Sequence, residues 1–145
     1  EVPELTDGTV ELRAIAREAG SRTKIAVFSN DPNVDPKGAC VGSRGSRVRQ
    51  IVNELKGEKL DVVEWREDKV RFIIEALGPA DIDEVIIDEH TQSAKVIVKD
   101  SQLSLAIGKE GQNARLAAKL TGYKIDIEGL GDSPPEEEEP KQEEE

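Results

Sequence analysis

The sequence predicts an α+β protein made of two tandem copies of one small unit, each a three-stranded sheet with helices packed on one face. Three observations support this. Gly42 and Gly45 recur 66 residues on as Gly108 and Gly111, each pair standing between an apolar run and a helical pattern. The match resumes with one residue deleted, Gly57-Glu58-Lys59-Leu60-Asp61-Val62 aligning with Gly122-Tyr123-Lys124-Ile125-Asp126-Ile127, so the chain is an internal duplication. Each glycine pair has two strand-like stretches before it and one after it.

Residues 9–18 alternate, with Val10, Leu12, Ala14 and Ala16 on one face and Glu11, Arg13, Ile15 and Arg17 on the other, the mark of a half-buried strand. Gly20-Ser21 turns the chain into a second strand over 23–28, rich in β-branched and apolar residues. After a loop, Asp35 as N-cap and Pro36 at the first helical position open a short helix that runs to Gly42. Beyond Gly45, Ser46 is expected to cap a helix whose Val48, Ile51, Val52 and Leu55 form one apolar stripe. Gly57 stops that helix, and a strand over 59–65 closes the unit.

Residues 67–77 place Val70, Ile73, Ile74 and Leu77 at helical spacing before Gly78-Pro79. That stretch reads as a helix packing the two units together, not as a flexible linker. The second unit repeats the plan: strands over 84–88 and 94–99 around a turn at 90–93, then a helix capped by Ser101 with Leu103, Ala106 and Ile107 inward. A further helix with Ala114, Ala117, Ala118 and Leu120 ends at Gly122, before a strand over 124–128. Residues 130–145 are dominated by proline and glutamate and are expected to form a disordered acidic tail.

Composition narrows the function. Of 145 residues, 36% are hydrophobic and 35% charged, and no apolar run approaches the roughly 20 residues that span a bilayer. No secretory signal is evident at the N-terminus. Cys40 is the single cysteine, so an intrachain disulfide is excluded, a cysteine-based metal cluster is not expected, and a reducing, cytoplasmic setting fits. Cys40 itself reads as a small buried hydrophobe. His90, the single histidine, falls in a turn with no metal-ligating neighbour. Asp61 and Asp126 hold matching strand positions and are read as solvated or capping. There is no Gly-Lys-Ser/Thr phosphate loop and no nucleophile with a base, so neither enzyme nor cofactor is expected.

The net charge of -11 is uneven. Eight carboxylates against Lys141 put most of it in residues 132–145, whereas residues 37–59 hold six cations against Glu54 and Glu58, and residues 101–124 hold four against Glu110. Positive charge thus gathers around both glycine turns. A Gly-x-x-Gly turn lets another backbone approach closely, and the helix that follows directs its first amides and positive dipole end at that place, a setting that suits a phosphate.

Helix, Gly-x-x-Gly, helix, strand in units of this size resembles the KH domain, a module that binds single-stranded nucleic acid, and the two strands ahead of the helices resemble its type II, bacterial form. More narrowly, the run Ser29-Asn30-Asp31-Pro32-Asn33-Val34-Asp35-Pro36-Lys37-Gly38-Ala39-Cys40-Val41-Gly42, followed by Gly45-Ser46-Arg47-Val48, resembles the NusA family of bacterial transcription factors. Leu105-Ala106-Ile107-Gly108-Lys109 with Gly111-Gln112-Asn113-Ala114-Arg115-Leu116-Ala117 is similar to the second KH domain of that family.

The resemblance implies two type II KH domains, over 1–66 and 67–129, that clamp single-stranded RNA, the nascent transcript, during elongation, termination and antitermination. It implies that Gly42, Ser43, Arg44, Gly45, Ser46 and Arg47 form one clamp and Gly108, Lys109, Glu110, Gly111, Gln112, Asn113 and Arg115 the other. KH loops grip the backbone of about four nucleotides. Arg44, Arg47, Lys109 and Arg115 would supply cations, and Gln112 and Asn113 would bond bases or sugars. Glu110 inside the second loop makes the first the stronger site. Low aromatic content argues against base stacking, and Trp65 is expected to pack near the domain junction. Full-length members engage RNA polymerase through an N-terminal domain and carry an S1 domain. Neither has a counterpart here, so Glu1 is read as a truncation point and direct polymerase binding is not expected. The competing reading is a protein-interaction scaffold using KH-like surfaces and the acidic tail.

Overall fold

Why two small units make one body is answered by the faces of their sheets. The computed structural model describes residues 1–130; the acidic tail from residue 131 lies outside the described residues. The chain runs α1 (Pro3–Thr6), β1 (Val10–Glu18), β2 (Arg22–Ser29), α2 (Pro36–Val41), α3 (Ser46–Glu54), β3 (Lys59–Glu64), then α4 (Lys69–Ala76), β4 (Glu84–Asp88), β5 (Ser93–Val98), α5 (Asp100–Ile107), α6 (Gln112–Thr121) and β6 (Lys124–Gly129). The order α-β-β-α-α-β occurs twice, with a single 3-10 turn, Ser43–Gly45 or Lys109–Gly111, between the paired helices. In each sheet the first two strands are antiparallel and the third, reached through the helix pair, lies parallel to the second. This is the predicted α+β architecture of tandem type II KH units. The helix read as a junction, α4, is also the second unit's counterpart of α1, a four-residue helix too short to show in the sequence pattern.

One face of the first sheet packs on its own helices through Val10, Val27, Cys40 and Val62, with Ile25 and Leu60 partly buried beside them. The predicted alternation along β1 is broken. Leu12 pairs with Val27 and Ala14 with Ala26, so Arg13 is an extra residue, a β-bulge. A one-residue insertion exchanges the faces beyond it. Ala14 and Ala16 therefore lie opposite the face of Val10 and Leu12, and Leu12 and Ile15 stay exposed.

The face that Ala14, Ala16, Ala26 and Val63 share is buried under the second unit. They join Phe72, Ile73, Ala76 and Leu77 around α4 and Leu116, Ala117 and Leu120 of α6 in one continuous core. α6 lies across β1 and β2. Three alanines on that face let the helix backbone approach closely, and burial of this shared apolar surface fixes the units together. The expected junction helix does contribute, through Ile73 and Leu77, but Ile74 is exposed and α6 supplies the larger contact.

Among the described residues, no helix packs on the corresponding face of the second sheet, where Glu84, Ile86, Lys95 and Asp126 are exposed. Where the first sheet aligns Ala14, Ala26 and Val63 across its strands, the second aligns Glu84, Ile97 and Glu128; where the first has Ala16, Lys24 and Asp61, the second has Ile86, Lys95 and Asp126. Asp61 is not the solvated residue the sequence suggested. It accepts two bonds from Arg22, both at 2.9 Å, and one from the enclosed Lys24 ammonium at 2.8 Å.

Candidate nucleic-acid interface

The two Gly-x-x-Gly turns have the same backbone. Gly42 and Gly108 adopt φ/ψ of 79°/171° and 82°/165°, Arg44 and Glu110 54°/32° and 55°/28°, Gly45 and Gly111 76°/17° and 75°/11°. The first glycine is required twice over. Its φ is positive, and a Cβ would stand 2.8 Å from the Arg47 amide nitrogen at Gly42, or 2.6 Å from that of Asn113 at Gly108.

Asp35 caps α2 as expected, its carboxylate accepting from the Lys37 amide at 3.1 Å, with Pro36 next. Ser46 and Ser101 do not cap. Ser46 is the first helical residue of α3, after Gly45 at the N-cap, and α5 starts at Asp100 after Lys99. α3 and α6 thus begin at a left-handed glycine with no side chain bonded over their first amides, the arrangement that admits an anion.

In the first loop Ser43, Arg44 and Ser46 are exposed. Arg47 turns inward instead, its Nη1 donating to Glu4 at 2.8 Å and to the Ala39 carbonyl at 2.7 Å, so it ties α1 to α2. Arg49 joins Lys37 as an exposed cation at the groove; it is counted among the cations of residues 37–59 but was not named as a site residue, although it stands 66 residues before Arg115. In the second loop Lys109 and Glu110 are exposed. Gln112 donates to Glu18 at 3.0 Å and Ser21 at 2.7 Å. Asn113, expected to meet bases, is buried and donates to the Leu77 and Ala106 carbonyls at 3.0 and 2.9 Å. Arg115 is held by Glu18. Lys109 is left as the outward-facing cation among the described candidates of that loop.

Two hollows flank these loops. One, about 440 Å³, lies between Val41, Gly45, Val48 and Arg49 and the strand β3, with Lys37 at its edge. The other, about 410 Å³, lies on the seam, with Ser21, Arg22 and Lys59 of the first unit facing Leu105, Gly108 and Lys109 of the second. Arg22 and Pro79 line both, so the hollows adjoin. Neither is lined by an aromatic ring. Phe28, Trp65 and Phe72 pack together with centroids 5.7 and 6.2 Å apart, and the Arg13 guanidinium lies 4.0 Å over Phe28. That cluster sits at the Phe28 end of β2, away from the Arg22 end where the hollows meet.

Among the described residues no group of His, Cys, Asp and Glu is arranged to hold a metal, and no helix is long and apolar enough to cross a membrane. Cys40 is buried, and burial pushes its thiol pKa up.

Comparison with known proteins follows this geometry. The family model described as the NusA-like first KH domain matches residues 1–65, and that described as the NusA-like second KH domain matches residues 69–134. The transcription termination/antitermination protein NusA of Bacillus subtilis is 61% identical over 133 residues, 92% of this chain and 36% of that protein. NusA of Mycobacterium tuberculosis is 57% identical over 136 residues, 93% of this chain and 39% of that protein. The chain therefore spans little more than a third of these curated relatives. The crystal structure of APE1850 shares the fold at a TM-score of 0.62 and 24% identity, over 88% of this chain and 94% of that one.

Proposed function

We infer, from the premise that the chain belongs to the NusA family, that its two KH units bind one single-stranded RNA, the nascent transcript, along a continuous track. The observation behind this is the pair of adjoining hollows, each opening beside a Gly-x-x-Gly turn and joined at Arg22 and Pro79. Phosphates sit over the uncapped starts of α3 and α6. Arg44, Arg49 and Lys37 draw the backbone at the first unit, and Lys109 at the second. Bases lie against the apolar strip of Val41, Val48 and Leu60, held by edge contacts and shape without stacking on rings.

Such binding regulates elongation, termination and antitermination in a cytoplasmic, non-enzymatic role. The test is fluorescence anisotropy with a labelled single-stranded RNA across a salt series. Log affinity should fall against log salt with a slope near −0.7 per phosphate neutralised, and several phosphates should be counted. Undetectable or salt-insensitive binding would favour the protein-interaction scaffold.

A further inference from the structure

The loops match in backbone and differ in the state of one arginine. Arg49 and Arg115 each stand five residues past the left-handed residue of their loop, and each returns an Nη1 bond to its carbonyl, Arg44 at 2.5 Å and Glu110 at 2.9 Å. Arg49 otherwise lies exposed at the first hollow. Arg115 turns its other two nitrogens to Glu18 of the first unit, Nε to Oε2 at 2.5 Å and Nη2 to Oε1 at 2.9 Å. The Gln112 amide donates to the same carboxylate at 3.0 Å. Two parallel N–H···O bonds form the fork that a guanidinium also offers a phosphate.

We propose that Glu18 is a built-in phosphate surrogate: the first unit's strand occupies the arginine with which the second loop would grip RNA, so that a phosphate reaches Arg115 only by displacing Glu18. The inference rests on the RNA-binding reading above and adds a control to it. The first loop, with Arg49 open, takes RNA without rearrangement. The second engages through Lys109 and adds Arg115 only when a strand already anchored at the first loop supplies phosphate at high local concentration. An RNA too short to reach both loops cannot use it. Glu18 thereby favours long single strands over short ones.

Anisotropy with single-stranded RNAs of about four and about twelve nucleotides tests this on the whole chain, with affinity for the longer strand compared between variants. Glu18→Gln should tighten binding of the long RNA about threefold or more and steepen the salt slope by about 0.7, the equivalent of one more phosphate neutralised. Adding Arg115→Gln to it should abolish the gain. Glu11→Gln, which removes a charge from the same strand away from the seam, should give no comparable gain. An unchanged or weaker E18Q with an unaltered melting temperature overturns the proposal, as does a gain that survives R115Q or appears equally in E11Q. Should E18Q fail to fold, Glu18→Asp keeps the charge but shortens the fork; tightening by it supports the surrogate, and no tightening overturns it. Absence of RNA binding by the unaltered chain refutes the RNA reading itself and this inference with it.

Discussion

Lys24 ends with its ammonium 2.8 Å from Asp61 and 3.2 Å from the Gly78 carbonyl, and its side chain has no exposed surface. One charged residue thereby links β2, β3 and the end of α4. Removing Asp61 strands a buried cation, and Asp61→Ala should cost about 3–5 kcal/mol in urea unfolding. Lys24→Met removes the charge and keeps the length, leaving Asp61 with Arg22, and should cost much less.

Acid should unfold the protein through two glutamates. Glu18 is held at about 2, against an ordinary 4.5, chiefly by Arg115 and then by Gln112. Glu58, almost fully enclosed, is held at about 2 by Arg17, then Thr23 and the Gly20 amide. A carboxyl depressed on folding adds stability above its unfolded value, and that contribution disappears as pH falls through the folded one. The melting temperature should therefore drop between pH 4.5 and 2. Glu58→Gln should lower it at neutral pH and flatten that acid limb.

Asn113 should prove to be a structural residue. Its amide bridges the Leu77 and Ala106 carbonyls at the ends of α4 and α5, so Asn113→Ala takes the side-chain donor from the buried Ala106 carbonyl and leaves Leu77 only the 3.3 Å bond from the Ala80 amide, and should cost roughly 1–3 kcal/mol. If Asn113 read bases instead, the variant would melt normally and lose RNA affinity.

The first loop should dominate binding. Ser43→Asp with Arg44→Asp makes an exposed turn anionic without touching the core, and RNA affinity should drop by about tenfold or more at unchanged melting temperature. Lys109→Asp, at a loop that already holds Glu110, should cost less. Equal losses would remove the proposed inequality of the clamps.

Much of the fold was legible because the duplication supplied every element except α1 and its counterpart α4 twice, and glycines marked the ends of the helices that were read. The faces were harder. A bulge at Arg13 leaves no trace in hydropathy, yet it reverses what β1 presents, and the small alanines it turns outward make sense only once α6 is seen against them. The site was legible where backbone geometry sets it, at the four loop glycines. It was not where side chains choose partners remote in sequence: Arg47 meets Glu4, Asn113 meets Leu77, and Arg115 meets Glu18, and local pattern treats all three as free. Arg49 could have been found by extending the 66-residue register four positions past Gly45.

The mismatch between the two sheet faces limits how far this arrangement can propagate. A unit that seats its α6 on the alanine face of its predecessor makes a head-to-tail contact, and such a contact, if every unit offered the same face, would continue copy after copy into a fibre. The second sheet withholds that face. With Glu84, Ile86, Ile97 and Glu128 where the first sheet has Ala14, Ala16, Ala26 and Val63, an incoming helix meets bulk and charge, Glu128 lying 3.5 Å from Lys95, in place of space. Among the described residues the contact is made once, and the second sheet's charged face resembles the polar terminal repeat of a solenoid.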